Sequence, residues 1–126
     1  MRLLVDAHVL IWAVDAQEKL SADADAALRS VDNELLLSAA IWEIVKVGLG
    51  KLKLTLPYRQ WMERAMADLG MTVLPITVEY ADVLVSLPRH HRDPFDRLLA
   101  VQARVERVPV VSSDATFDQY AINRIW

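Results

Sequence analysis

No cysteine occurs in the chain, which removes disulfides, zinc–thiolate sites, iron–sulfur clusters and cysteine nucleophiles from consideration. That absence fits a reducing compartment, and a cytoplasmic location is expected. Long apolar runs are missing too. The longest uncharged stretches are Ala7–Val14, Leu35–Trp42 and Gly70–Val78, and none approaches the ~18 apolar residues that a membrane span needs. The opening MRLLVD already carries an acid at Asp6. Without a longer apolar region and a small-residue cleavage site, no secretory signal is expected. Basic charge is not in excess either. Fourteen Lys and Arg face 17 Asp and Glu, for a net charge of −3. This argues against a simple basic coat for nucleic acid, but it leaves room for acids gathered at one site and bases at another. There is no repeat, no low-complexity tract and no linker-like run. At 126 residues, one domain spanning 1–126 is expected, large enough to bury roughly two-thirds of its unfolded surface.

What the chain has in surplus is apolar content. Hydrophobic residues make up 54%, above the usual range of about 45–50%. On a small domain part of that surplus reaches the surface, which favours a homodimer or a tight partner. Short apolar runs end in polar residues: Leu3-Leu4-Val5 before Asp6, Leu35-Leu36-Leu37 before Ser38, and Val108–Val111 before Ser112-Ser113-Asp114. Met71–Ile76 is rich in β-formers. Such runs suit buried parallel strands. Helical spacing lies between them. Ala24, Ala27, Leu28 and Val31 fall at i, i+3, i+4 and i+7 behind a Ser21 cap. Tyr58, Trp61, Met62, Ala65, Met66 and Leu69 form a stripe from Pro57 to Gly70. A third helix begins near Ser38 and ends at Gly48 and Gly50; a fourth, with Phe95, Leu98, Leu99 and Val105, opens at Asp93-Pro94. Alternating strands and helices predict an α/β fold, a three-layer α/β/α sandwich on a mainly parallel sheet, with Leu3–Asp6 at its centre. Strand C-termini then share one edge.

Four acids reach that edge: Asp6 at the end of the first strand, Glu43 about one turn into the helix after the second, Asp96 in the first turn after Pro94, and Asp114 after the last strand. Ligands of open α/β sheets bind outside the carboxyl ends of the strands. Carboxylates ~5 Å apart repel by up to about 3 kcal/mol per pair at an effective dielectric near 20. A hard cation with oxygen ligands, Mg²⁺ or Mn²⁺, relieves that repulsion. An acidic pocket holding such a cation suits phosphodiester hydrolysis, since the cation lowers the pKa of its water and neutralises the phosphate. Each acid also has an ordinary structural use. Asp6 could cap the next helix. Glu43 could pair with Lys46. Asp96 could partner an Asp93 cap, and Asp114 could be a turn residue.

The residues also resemble a known family. LLVDAHVLIWAV (Leu3–Val14), LSAAIWEIVKVGLGKLKL (Leu37–Leu54), RHHRDPFDRLLAVQA (Arg89–Ala103) and VVSSDATFDQY (Val110–Tyr120) look like the successive motifs of the PIN domain (PilT N-terminal-like) family. In particular they resemble VapC-type toxins of type II toxin–antitoxin modules. The third block is the most specific. The resemblance runs from Arg2 to Trp126 and places Asp6, Glu43, Asp96 and Asp114 at the family's acidic positions. The Thr or Ser before the last acid is Ser112 or Ser113. The resemblance implies a Mg²⁺- or Mn²⁺-dependent endoribonuclease, usually homodimeric, silenced by a cognate antitoxin. The alternative is a non-catalytic PIN-like module that binds RNA or protein. Loss of an acid would signal that, and all four are present.

Other residues bear on the same edge. Arg89, His90, His91, Arg92 and Arg97 make one basic collar, and Lys46, Lys51 and Lys53 a second. Both could steer an RNA backbone, although any single base is more simply a surface charge. Adjacent histidines rarely ligate one metal together, so His90 and His91 are read with the collar. Trp12, Trp42 and Trp61 fall in helical patterns and are expected to pack. Asp15, Asp23, Asp25 and Asp118 read as surface or capping acids. A haloacid-dehalogenase-type phosphatase would need a second Asp where His8 stands.

Overall fold

The computed structural model describes residues 1–41 and 58–126. Glu43, Lys46, Lys51, Lys53, Trp42, Pro57 and most of the helix expected after Ser38 lie outside those residues.

Five strands make one sheet: β1 (Arg2–Val5), β2 (Glu34–Ser38), β3 (Thr72–Leu74), β4 (Val110–Val111) and β5 (Arg124–Ile125). Their order is β3-β2-β1-β4-β5, and every neighbouring pair is parallel. β1 is central, as its run of buried residues requires: Leu3, Leu4 and Val5 are all essentially inaccessible to solvent. Successive side chains leave a strand on opposite faces, and the core divides accordingly. Leu3, Val5, Leu35, Leu37 and Val111 join one hydrophobic cluster; Leu4, Leu36 and Val110 join the other.

Helices cover both faces. Helices α1 (Ala7–Asp15), α2 (Ala22–Arg29) and α3 (Tyr58–Leu69) pack Val9, Leu10, Leu28, Trp61 and Met62 into the first cluster. Helices α4 (Val78–Ser86) and α5 (Pro94–Glu106), with a 3₁₀ segment at Ala115–Tyr120, pack Tyr80, Leu99, Val101, Phe117 and Tyr120 into the second. This is the expected three-layer α/β/α arrangement.

Local signals set the helix ends. Ser21 Oγ accepts the Ala24 N–H at 3.0 Å and starts α2. α3 stops at Gly70, whose φ of +62° is the left-handed conformation that glycine adopts without penalty. Asp93 caps α5 by accepting the Phe95 N–H at 2.8 Å, with Pro94 as the first helical residue. Two expectations change. Val31 does not belong to the α2 stripe: the helix ends at Arg29 and Val31 is 97% exposed. The strand expected over Met71–Ile76 shortens to Thr72–Leu74, because Pro75 has no N–H to continue a ladder. Helix α4 and strand β5 carried no sequence signal.

The chain builds the sheet outward from β1 through β2 to β3, then returns to the other side of β1 for β4 and β5. The order therefore reverses between β1 and β4. Such a switch point opens a crevice at the strand carboxyl ends, where ligands of α/β sheets bind.

Candidate active site

Asp6 leaves β1 at this crevice and occupies the N-cap position of α1, yet its side chain makes no capping hydrogen bond. Its carboxylate instead accepts the Ser112 O–H at 2.6 Å, across from the end of β4. Asp6 is only 7% exposed. The helix N-terminus above it favours negative charge. Ser112, fully buried, also accepts the Asp114 N–H at 3.0 Å. One hydroxyl thus links the two strand ends and settles which serine of the Ser112–Ser113 pair belongs to the crevice.

Asp114 has both carboxylate oxygens engaged. Oδ1 accepts the Thr116 N–H at 2.9 Å, a cap on the 3₁₀ segment, so its turn role is real. Oδ2 lies 2.7 Å from His91 Nε2. Burial pushes its carboxyl up, but the hydrogen bonds from His91 and Thr116 outweigh that and hold it below the ordinary carboxylate value.

Asp96, at the third position of α5, is the strained member. Burial first, then the charges of Asp93 and Asp6, and more weakly Asp114, raise its carboxyl from 3.8 to about 6 against a pull from His91. These are the two raising causes expected for an acid withdrawn from water among like charges. Asp96 also lines a narrow cleft with Val5, Ser38 and Ile41.

Ligating atoms of His91, Asp96 and Asp114 all lie within 4.8 Å of one another, and this is the one such group among the described residues. Asp6, joined to Asp114 through Ser112, completes the acidic lining. Of the sequence-derived acids, Asp6, Asp96 and Asp114 are brought together, and Glu43 is outside the described residues. The donor set fits a cation: oxygen atoms dominate, and burial with like charges nearby makes the Asp96 carboxylate costly to ionise without one.

Several other assignments sharpen. Arg97 does not belong to the basic collar. Its guanidinium donates to the carbonyls of Pro88, Leu84 and Leu87 at 3.1, 3.2 and 3.2 Å, closing the C-terminal end of α4. His91 is withdrawn from the collar as well, while Arg89, His90 and Arg92 remain exposed. Asp118 is gripped by Arg124 at 2.9 and 3.2 Å. Asp15 accepts the Trp61 indole N–H at 3.1 Å, and Trp12 packs against Trp126. A wider cleft lies elsewhere, between Asp15, Arg29, Leu35 and Leu69, and none of Asp6, Asp96 and Asp114 lines it.

Sequence alone places His91 only in the basic collar and leaves the serine open between Ser112 and Ser113; the structure brings His91 and Ser112 to the site. What selects them is contact with residues distant in the chain.

Comparison with known proteins supplies the context. The PIN domain family matches residues 3–123. Among solved structures, the chain is similar to one chain of VapBC2 from Rickettsia felis, bound to a DNA fragment from its promoter. That likeness has 13% identity, covers 100% of both chains and gives a TM-score of 0.72. It is also similar to a chain of FitAcB from Neisseria gonorrhoeae, with 16% identity, 97% and 95% of the two chains covered and a TM-score of 0.59. At these identities the likeness establishes the fold. No curated protein matches.

Proposed function

The chain belongs to the PIN domain family, and on that premise we propose that it is a Mg²⁺- or Mn²⁺-dependent endoribonuclease of the VapC type, the toxin of a type II toxin–antitoxin module. The observation that carries this reading is the convergence of Asp6, Asp96 and Asp114 on the crevice between β1 and β4, with Asp96 pushed up to about 6 by burial and its acidic neighbours. Asp6, Asp96 and Asp114, with Glu43, are the residues that would hold the cation. A bound divalent cation supplies charge neutralisation for a phosphodiester and an acidified water molecule. The protein's own groups do the rest. Ser112 fixes the Asp6 carboxylate, Asp93 starts the helix that presents Asp96, and exposed Arg89, His90 and Arg92 draw an RNA backbone toward an acidic mouth.

An antitoxin would silence this site by covering the strand-end groove and placing a basic side chain among the acids, relieving the repulsion that a cation relieves. The complexes to which the fold is similar favour such a partner. Exposed Val78 and Val85 on one face of α4, with Ile76 nearby in sequence, offer apolar surface for a homodimer.

The test is direct. Purified protein should cut single-stranded RNA with Mg²⁺ or Mn²⁺, lose the activity in EDTA and regain it on adding excess Mn²⁺. Cutting that survives full chelation would refute the cation requirement. No cutting of any RNA at saturating cation would favour a binding module.

A further inference from the structure

His91 sits in the loop before α5, and its ring reaches across to the segment after β4. Three contacts fix it. Its backbone N–H donates to the Tyr120 hydroxyl at 2.9 Å. Its Nδ1 is 2.9 Å from the same hydroxyl, and its Nε2 is 2.7 Å from Asp114 Oδ2. One assignment of protons satisfies every partner. The Tyr120 oxygen accepts the backbone N–H and donates its own proton to Nδ1, which leaves Nε2–H to donate to the carboxylate. Packing holds the ring as firmly. It stacks on Tyr120 at 5.4 Å with planes 7° apart, and Phe117 lies against it at 4.6 Å. Tyr120 and Phe117 are themselves buried.

Exposure decides what such a histidine can do. The His91 side chain is 7% exposed, against 39% for Asp114. A polymer in the crevice meets the carboxylate and not the imidazole. Neighbouring His90 is exposed and meets Tyr120 in a T-shaped contact. We propose that His91, braced by Tyr120, is a positioning residue. It locks the Asp114 carboxylate, whose other oxygen Thr116 holds, in the orientation that faces Asp96. This rests on the cation-site reading above. The physical reason is general. A carboxylate turns freely about its last bond, and a cation bound by a turning ligand must first stop it. A donor that is itself immobilised removes that cost, and outer partners of this kind tune ligand sets throughout metalloproteins.

The experiment titrates Mn²⁺ into the metal-free full chain and reads free Mn²⁺ by electron paramagnetic resonance. It compares wild type, His91→Ala, His91→Gln, Tyr120→Phe and Asp96→Asn, with the melting temperature of each metal-free protein alongside. His91→Ala should weaken Mn²⁺ binding about ten- to a hundredfold, and Tyr120→Phe should weaken it less. The Gln side-chain amide reaches the place of Nε2 and donates to Asp114, so His91→Gln should stay within about threefold of wild type. The affinities should follow this order whatever the order of melting temperatures. Should His91→Ala bind as wild type does while Asp96→Asn fails, the positioning role is wrong and the cation site stands. Should His91→Gln be as weak as His91→Ala in a folded protein, the hydrogen bond to Asp114 is not what matters, and the proposal falls. Should wild type bind no Mn²⁺, the cation site itself is refuted, and this inference with it.

Discussion

Asp96 carries the clearest physical signature of the site. Its carboxyl is raised from 3.8 to about 6, so ionising it is harder in the fold than in the unfolded chain. The sign follows by linkage. Its contribution to stability is fully present below the unfolded value of 3.8 and is lost as pH rises through about 6. Metal-free wild type should therefore lose melting temperature relative to Asp96→Asn as pH is raised from about 4 to about 7, because Asn has nothing to ionise. Asp114, depressed instead, loses its contribution only as pH falls below the ordinary carboxylate range, outside that window. A flat difference between the two proteins across this range would show that neither burial nor neighbouring charge raises the Asp96 carboxyl. The adjacent acid has another task. Asp93→Asn should keep most of the RNA cleavage, since Asn caps nearly as well as Asp, whereas Asp93→Ala should cost about 1 kcal/mol of stability. Asp96→Asn should abolish cleavage with a melting temperature at neutral pH no lower than wild type. The division between Asp93 and Asp96 is legible in the sequence because Pro94 fixes the first helical position. The role of His91 is not, since its partners lie 23 and 29 residues away and no local pattern names them.

Elements behave the same way: those with a local punctuation mark could be read, and those held by distant groups could not. Ser21, Gly70 and Asp93-Pro94 announce helix ends. Helix α4 presents Val78 and Val85 to solvent at 85% and 89% exposure, so its apolar residues do not form one buried stripe. β5 has two residues, pairs with β4, and is tied further by Arg124 to Asp118 and to the Ser112 carbonyl at 3.1 Å. The closure of α4 depends on Arg97 and its planar fork. Lysine keeps the charge but cannot reach three carbonyls at once. Arg97→Lys should therefore lower stability by on the order of 1–2 kcal/mol in denaturant unfolding. An unchanged unfolding midpoint would return Arg97 to the basic collar.

At the scale of the molecule, the central place of β1 joins stability to the site, because the strand that anchors both cores also ends in Asp6. Leu4 is fully buried in one of those cores, and Leu4→Ala should cost about 2–5 kcal/mol. Asp6→Asn should leave the fold nearly intact and remove activity, since Asp6 accepts from Ser112 and does not cap α1. A badly destabilised Asp6→Asn protein would reassign that residue to structure. The fold and the strand-end edge followed from short apolar runs ending in polar residues, with helical spacing between them. Sequence could not supply the distances that separate a cation site from a set of caps. Anomalous diffraction from crystals grown with Mn²⁺ tests this most directly. The account predicts one strong peak in the crevice between β1 and β4, coordinated by Asp96 and Asp114 and faced by Asp6. A crevice empty at saturating Mn²⁺, or a peak held by other acids such as Asp118 or Asp15, would contradict it.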